Sequence, residues 1–203
     1  MNRHSPTDAR WNEYYAATET RPPRDTLLKA LEFVPREGRA IDLGCGCGHD
    51  TIAMLRHGLR VTAVDATEEA TARTVKQAQQ HHLNQRLQTF TRPFERVELG
   101  TYHLINASFS LPFCAAAEFP ALWRGLRDAL LPGGVFAGQF FGVNDQWATE
   151  PGHRAQVFFT PAQVTELTAG LERVYFEEVE RDGVTAVGAP KHWHVFHMVL
   201  RRA

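Results

Sequence analysis

The sequence predicts one α/β domain built around a largely parallel sheet. Three observations support this: strand-length apolar segments alternate with helical ones, a glycine-rich loop follows the first of them, and two strands close the chain. The alternating apolar segments are 40–43, 61–65, 87–90, 104–109 and 134–141. Such alternation is typical of a parallel sheet covered by helices. Because 171–180 and 192–202 follow each other without an intervening helix, we expect an antiparallel hairpin there.

Capping signals indicate where the helices between these strands begin and end. Asp50 and Thr67 each stand at the start of a helical pattern and are expected to cap it. Thr160 is followed three residues later by Gln163, which predicts a capping box. The segment 121–134 is predicted as a helix that ends at its two glycines.

Two further helices are predicted ahead of the first strand, over 8–18 and 25–34. They are separate helices because Pro22 and Pro23 cannot both continue a helix. We expect residues 1–35 to form a helical cover on a single domain that spans 1–203, with the first helix lying over a site as a lid.

Composition narrows the class of partner. The 22 basic and 23 acidic residues give a formal charge of −1, which provides no overall field to attract nucleic acid or an anionic membrane. The three cysteines are too few and too unevenly spaced for a disulfide framework. The polar start of the sequence has no signal-peptide core, and no apolar run is long enough to span a membrane. These features predict a cytoplasmic protein with a small-molecule partner, without nucleic acid, membrane or metal.

The glycine-rich loop indicates where a ligand binds. In "IDLGCGCG", Gly44 and Gly46 let the main chain approach a ligand at the carboxyl end of a strand, and Gly48 permits a tight turn into the next helix. The third glycine comes one residue too early for the dinucleotide fingerprint, and no phosphate-binding lysine follows. Asp42 would repel a pyrophosphate, but its carboxylate would accept hydrogen bonds from an ammonium group. We therefore expect a ligand that is cationic at this end.

A second carboxylate, Asp65, ends the next apolar strand. It lies about 20 residues after the glycine loop, the spacing at which an acidic side chain reaches ribose hydroxyls. The pattern indicates a nucleoside ligand that Asp65 binds without taking part in the chemistry.

These segments resemble a known family. "IDLGCGCG" and "VTAVDAT" are similar to motif I and the acidic strand-2 loop of class I S-adenosylmethionine-dependent methyltransferases, and "LLPGGVFAGQFFG" is similar to their approach to strand 5. The resemblance implies a Rossmann-like three-layer sandwich with a seven-stranded mixed sheet of order 3-2-1-4-5-7-6, strand 7 being antiparallel. The small size resembles the tellurite-resistance and thiopurine methyltransferase-like branch of small-molecule enzymes.

The resemblance also implies a methyl donor, S-adenosylmethionine, and the product S-adenosylhomocysteine. Asp65 would hold the ribose, Ala66 would lie near the adenine and Phe94 would pack on it. The residues implied around the rest of the donor are Asp42, Gly44, Cys45, Gly46, Gly48 and Asn106. Many relatives have an acidic residue after strand 3 for the adenine amino group, whereas this chain has "TRPFE" there.

The acceptor is expected beside the start of the reversed last strand. Alternation along "KHWH" places His192 and His194 on one face of the strand and Lys191 and Trp193 on the other. A neutral histidine near pH 7 suits proton removal from an acceptor, so His192 or His194 is the candidate base. The alternative, that both histidines only cover the sheet, has about equal weight. The predicted substrate contacts are Tyr14, Phe109, Phe141, Trp147 and Trp193.

The leading function is therefore methyl transfer to an oxygen, nitrogen or sulfur atom of a small molecule (EC 2.1.1.-). A nucleic-acid methyltransferase of the same fold comes second, because no basic stripe or added recognition domain is apparent. A non-catalytic S-adenosylmethionine-binding protein and a nicotinamide oxidoreductase are further alternatives. The sequence leaves open the acceptor, the use of a base and the oligomeric state.

Overall fold

The computed structural model describes residues 6–153 and 156–203 and contains one mixed sheet. Its strands are β1 (Arg39–Leu43), β2 (Arg60–Asp65), β3 (Leu87–Thr91), β4 (Tyr102–Ala107), β5 (Leu130–Gly142), β6 (Phe158–Phe159), β7 (Leu171–Val184) and β8 (Pro190–Arg202). The order is β3-β2-β1-β4-β5-β8-β7, and β6 pairs with the end of β5. The predicted order and the antiparallel last strand are thereby confirmed. The two-residue β6 was not predicted, so the last strand is the eighth.

Six α-helices cover the sheet. They are α1 (Pro6–Ala17), α2 (Asp25–Leu31), α3 (His49–His57), α4 (Glu68–Gln80), α5 (Phe119–Ala129) and α6 (Pro161–Leu167), among the residues that the structure describes. None of these helices is long and apolar enough to cross a membrane.

The helix caps agree with the sequence in two places and differ in two. Thr67 Oγ1 accepts a hydrogen bond from the Ala70 amide, and Thr160 forms the complete capping box with Gln163. The predicted cap at Asp50 is wrong, since α3 begins at His49 without a side-chain cap. The predicted end of α5 at the glycines is also wrong. The helix stops at Ala129, and the glycines lie within β5.

Apolar side chains pack on both faces of the sheet, which gives the predicted three layers. On one face, Leu27 of α2 and Met54 of α3 pack with Leu104 and Val199. On the other face, α5 and α6 cover a second set of side chains that includes Phe136 and Phe140 of β5. Because neighbouring strand residues point to opposite faces, β4 and β5 contribute to both layers.

The closing hairpin is longer than predicted. The pairing of β7 with β8 continues to Val184 and Pro190, so only a five-residue connection remains between the strands. Strand β5 pairs with β8 only over 195–201. The hairpin therefore extends past the carboxyl end of β5, and this extension forms a wall beside the carboxyl edge of the parallel strands.

Candidate functional site

A cavity of about 1080 Å³ opens at the carboxyl edge of the sheet. The glycine loop after β1, the end of β2, the segments after β4 and β5, helix α1 and the β7–β8 hairpin all contribute to its lining. The predicted site residues that line it are Tyr14, Gly44, Gly46, Asp65, Ala66, Phe94, Phe109, Phe141, Trp147 and Trp193. The structure thus brings together residues from distant parts of the sequence in one cavity.

Asp65 is the centre of the polar half of the cavity. Its Oδ2 accepts a hydrogen bond from the Gly46 amide at 3.0 Å, and its Oδ1 accepts from the Thr67 amide at 3.0 Å. The Tyr15 hydroxyl of α1 also donates to Oδ1, at 3.3 Å. Burial, followed by the charge of Asp65, raises the pKa of Tyr15, so this phenol stays protonated. Oδ2 accepts only the Gly46 bond from the described residues and keeps capacity for a second donor.

Asp42 and Asn106 lie beneath the glycine loop and do not line the cavity. The Thr51 hydroxyl donates to Asp42 Oδ2 at 2.5 Å. The side-chain amide of Asn106 donates to Asp42 Oδ1 at 2.8 Å and to Asp50 Oδ2 at 3.0 Å. Burial, and then the charge of Asp50, raises the pKa of Asp42 to about 7. The expectation that Asp42 points at a ligand ammonium is therefore corrected: its carboxyl group is directed at α3 and β4.

Cys45 and Gly48 are also behind the cavity wall. The Thr74 hydroxyl of α4 donates to Cys45 Sγ at 3.4 Å, and burial raises the pKa of this thiol. A Cβ atom on Gly48 would lie 2.8 Å from Thr74 Oγ1, so the glycine allows α4 to approach the loop. Within the described residues, no group of three or more side chains is arranged to hold a metal ion.

Gly44 is held in a conformation that a side chain would strain. Its φ is +78°, and a Cβ atom would lie 2.5 Å from Ser110 Cβ. Gly133 has a similar φ of +74° but no atom within 4 Å of such a Cβ.

Gly44→Ala and Gly133→Ala are therefore a matched pair of variants. We expect a loss of about 1–2 kcal/mol in unfolding free energy for Gly133→Ala and a larger loss for Gly44→Ala. Equal losses in urea unfolding would show that Ser110 imposes no constraint.

Arg24 is a site residue that the sequence did not indicate. Its guanidinium lines the cavity, 4.5 Å above the Phe109 ring centroid, and hydrogen-bonds the Tyr14 side chain. Burial lowers its pKa, although an arginine remains charged in proteins. Arg24 lies outside the glycine-loop motif, so nothing in its sequence position indicates that it lines the cavity. Its main-chain amide donates to Asp50 Oδ1 at 2.9 Å, which fixes α2 beside the loop.

Phe109 separates the polar half of the cavity from the aromatic half. It has a φ of +55°, a conformation that side chains rarely adopt. Gln139 Oε1 accepts its amide hydrogen at 2.8 Å, and Gln139 Nε2 donates to Thr26 Oγ1 at 2.9 Å. This network from β5 to α2 stabilises the strained residue at the point where the two halves meet.

An aromatic wall forms the far half of the cavity. The ring centroids of Phe109 and Phe141 are 6.2 Å apart, and those of Trp147 and Trp193 are 5.6 Å apart. Lys191 lies behind this wall, with Nζ 3.5 Å from the Trp193 ring centroid and 4.3 Å from that of Trp147. Its ammonium donates to both oxygens of Asp145, at 2.6 and 2.5 Å. An enclosed ion pair therefore supports the wall.

His192 and His194, the predicted bases, do not line the cavity. His192 Nδ1 is 2.7 Å from Asp182 Oδ1, and His194 Nε2 is 2.9 Å from Glu178 Oε1. The prediction is corrected because the other face of β8, which carries Trp193, is the one turned towards the cavity. The sequence alone left open which face that was.

Comparison with known proteins agrees with this architecture. A model described as a methyltransferase domain matches residues 41–136, from β1 into β5. A trans-aconitate 2-methyltransferase from Deinococcus radiodurans is 28% identical over 81% of this chain and 70% of that protein. A carboxy-S-adenosyl-L-methionine synthase from Stutzerimonas stutzeri is 31% identical over 52% of this chain. The chain spans 45% and 46% of the first two curated relatives it matches, about half their length.

A solved structure shares the fold over nearly all of the chain. TehB from Haemophilus influenzae superposes with a TM-score of 0.77 at 16% identity, covering 94% of this chain and 67% of that one. The matched residues 41–136 include the glycine loop after β1 and the acidic end of β2. Residues 41–136 therefore match a methyltransferase domain, and the chain shares its fold with TehB.

Proposed function

We propose that the protein transfers the methyl group of S-adenosylmethionine to an oxygen, nitrogen or sulfur atom of a small molecule and releases S-adenosylhomocysteine. One observation carries this proposal: a single cavity of about 1080 Å³ joins a polar half to an aromatic half. Gly44, Gly46 and Asp65 form the polar half, which suits the donor. Phe141 and Trp193 belong to the aromatic half, which suits the acceptor.

The polar half fits the chemical groups of the donor. Asp65 Oδ2 has acceptor capacity for a ribose hydroxyl, and Ala66 and Phe94 line the adjoining part where an adenine ring would pack. Gly44 and Gly46 line the cavity, so their main chain would face the amino acid portion. Asp42 and Asn106 are assigned a different role from the predicted one, since they hold the loop from below.

The carboxylate of the donor is assigned to Arg24. Its guanidinium lines the cavity next to Phe109 and hydrogen-bonds the Tyr14 side chain, and it has no ion-pair partner among the described residues. Guanidinium groups bind carboxylates through paired, charge-assisted hydrogen bonds. This contact would direct the sulfur end of the donor towards the aromatic half.

The chemistry requires alignment more than activation. S-adenosylmethionine, when bound, supplies a methyl group that its positively charged sulfur already activates. Holding two reactants in line contributes up to ~7–11 kcal/mol in well-oriented cases. Phe109 is placed to orient both reactants, because its main chain is fixed by Gln139 and its ring borders both halves.

The features of the cavity support a small acceptor over a nucleic acid. Acidic side chains line it together with basic ones, namely Glu13, Asp25, Glu95 and Glu177 beside Arg21, Arg24 and Arg181. A phosphodiester backbone requires a predominantly basic surface. A non-catalytic binding protein would not need the strained Phe109 beside a supported aromatic wall. We place the reaction in the cytoplasm, where the thiols of Cys45, Cys47 and Cys114 would stay reduced.

We also propose that the chain acts as one domain in which residues 6–35 cover the site; residues 1–5 of the predicted cover lie outside the described residues. Tyr15 of α1 is 2% exposed and reaches Asp65 and Thr67, and Trp11 and Tyr14 line the cavity. Helix α1 therefore lies over the polar half, in the position expected of a lid.

The test is calorimetric titration with S-adenosylhomocysteine. We expect the wild-type protein to bind it and Asp65→Asn to bind it roughly 10- to 150-fold more weakly, because a hydrogen bond to a charged group contributes about 1.5–3 kcal/mol. Asparagine keeps an oxygen that can accept from the Gly46 amide, so the glycine loop should keep its conformation. Asp182→Asn is the control, since that side chain is 93% exposed on β7 and outside the cavity. Absence of binding by the wild type, or equal binding by Asp65→Asn, would contradict the proposal.

A further inference from the structure

The three histidines of β8 have different surroundings. His194 uses both ring nitrogens, since Nδ1 accepts from the Asn144 amide at 3.2 Å and Nε2 faces Glu178. His192 Nδ1 is held by Asp182. His197 lines the cavity, and neither of its ring nitrogens has a hydrogen-bond partner in the described part of the chain. It is the β8 histidine whose lone pair is available to a ligand in the cavity.

His197 lies on the acceptor side of the cavity. Its register partners are Gln139 on β5 and Glu177 on β7, so it is three strands away from the β1 loop that would hold the donor. Its ring centroid is 5.8 Å from that of Phe109, in an edge-on arrangement. The residue at the junction of the two halves therefore contacts His197 directly.

The charged groups around His197 act in opposite directions. Burial lowers its pKa, as do the positive charges of Arg24 and Arg181, while Glu177 and Asp25 raise it. The combined effect is a lowered pKa, so the imidazole is neutral near pH 7. A neutral imidazole is the form that accepts a proton.

The aromatic half indicates the kind of acceptor. Phe109, Phe141 and Trp193 line it with ring surface on which a planar ring can pack, while Trp147 is stacked on His153. The Lys191 ammonium already lies against the rings of Trp147 and Trp193, which disfavours a cationic acceptor at the same rings. A neutral aromatic compound fits this half better than a quaternary ammonium or an aliphatic polyacid.

We propose that His197 is the catalytic base for an aromatic acceptor that carries a hydroxyl group, an inference that rests on the proposed function. The hydroxyl proton passes to a ring nitrogen of His197 as the oxygen bonds to the methyl carbon. The bond from that carbon to sulfur breaks, and its electron pair stays on sulfur, which gives S-adenosylhomocysteine. The imidazolium then releases its proton to water. A phenol suits this base because its ordinary pKa, about 10 in tyrosine, is far below that of an aliphatic alcohol.

The experiment uses 4-nitrophenol, whose absorbance distinguishes phenol from phenolate. The probe is titrated into the complex with S-adenosylhomocysteine at a pH below its own pKa. We expect the wild type to bind it with an increased share of phenolate, because His197 takes the proton. In His197→Gln that share should return to the value of the free probe, and affinity should fall roughly tenfold or more through loss of a charge-assisted hydrogen bond. His192→Gln is the matched control on the same strand and should behave as the wild type.

Each other outcome has a definite meaning. If S-adenosylhomocysteine does not bind, the proposed function fails and this inference fails with it. If it binds but 4-nitrophenol does not, or if trans-aconitate binds in place of the phenol, the acceptor class is wrong. If His197→Gln keeps the phenolate band, or His192→Gln loses it equally, His197 is not the base. NMR titration of the His197 ring protons in the wild type gives a second measurement that does not depend on the folding of a variant. Ring signals unchanged by the probe would overturn the proposal.

Discussion

Replacing Lys191 by methionine is expected to lower the free energy of unfolding by about 3–5 kcal/mol. The Lys191 side chain is 1% exposed and that of Asp145 is 0% exposed, so the variant leaves a buried carboxylate without its counter-ion. From the described residues, Asp145 would keep only two main-chain donors, the amides of Trp147 and His194. Equilibrium unfolding in urea measures the loss.

Two further variants make this prediction specific. Arg201→Met removes an ion pair with Glu172 whose side chains are 39% and 53% exposed, and such exposed pairs contribute only about 0–1 kcal/mol. The double variant Lys191→Met, Asp145→Asn should be more stable than Lys191→Met alone, because no unpaired charge remains buried. A loss of under 1 kcal/mol for Lys191→Met, or a double variant less stable than the single one, would contradict the view that this pair supports the aromatic wall.

The sequence predicted the sheet well because its strands are apolar segments with clear boundaries. It failed where local signals and long-range pairing disagree. The predicted strands end at 180 and begin again at 192, yet Gly183 pairs with Lys191 inside the hairpin, and a Cβ atom there would lie 3.2 Å from Trp193 Cδ1. The indole of Trp193 covers the glycine, and this contact between distant residues is not visible in a local pattern. The two-residue β6 is too short to leave any periodic signal.

Of the predicted site residues, the five substrate contacts line the cavity, whereas Asp42, Cys45, Gly48 and Asn106 of the donor set and both predicted bases do not. The glycine loop and Asp65 could be recognised from their spacing along the sequence, and Gly44, Gly46 and Asp65 all line the cavity. The direction in which a β8 side chain points depends instead on the register in which β8 pairs with β5. The Gln139–His197 register turns His197 towards the cavity, whereas His194 packs against Gly142, where a Cβ atom would be 2.1 Å from its Nδ1. Arg24 reaches the cavity through tertiary packing alone.

Asp42 shows how a residue at a motif position can act on stability as well as binding. Asp42 is 1% exposed, and its two hydrogen-bond donors among the described residues, Thr51 and Asn106, are neutral. Burial together with Asp50 raises its pKa from 3.8 to about 7, so the folded protein binds a proton there that the unfolded chain releases. The stability contributed by the protonated form is complete below about pH 4, falls as the pH rises and is lost above about pH 7.

Asp42→Asn should therefore remove a pH dependence that the wild type shows. An asparagine can accept from Asn106 and donate to Thr51, so the same contacts are available without a charge. We expect the stability of the variant relative to the wild type to increase from about pH 4 to about pH 7 and to remain constant above that. Urea unfolding at closely spaced pH values measures this difference, in which the other titrating groups largely cancel. A constant difference over this range would mean that Asp42 is ionised in the folded protein throughout. The loop would then rest on a buried charge, and the original expectation of an ammonium partner for Asp42 would regain support.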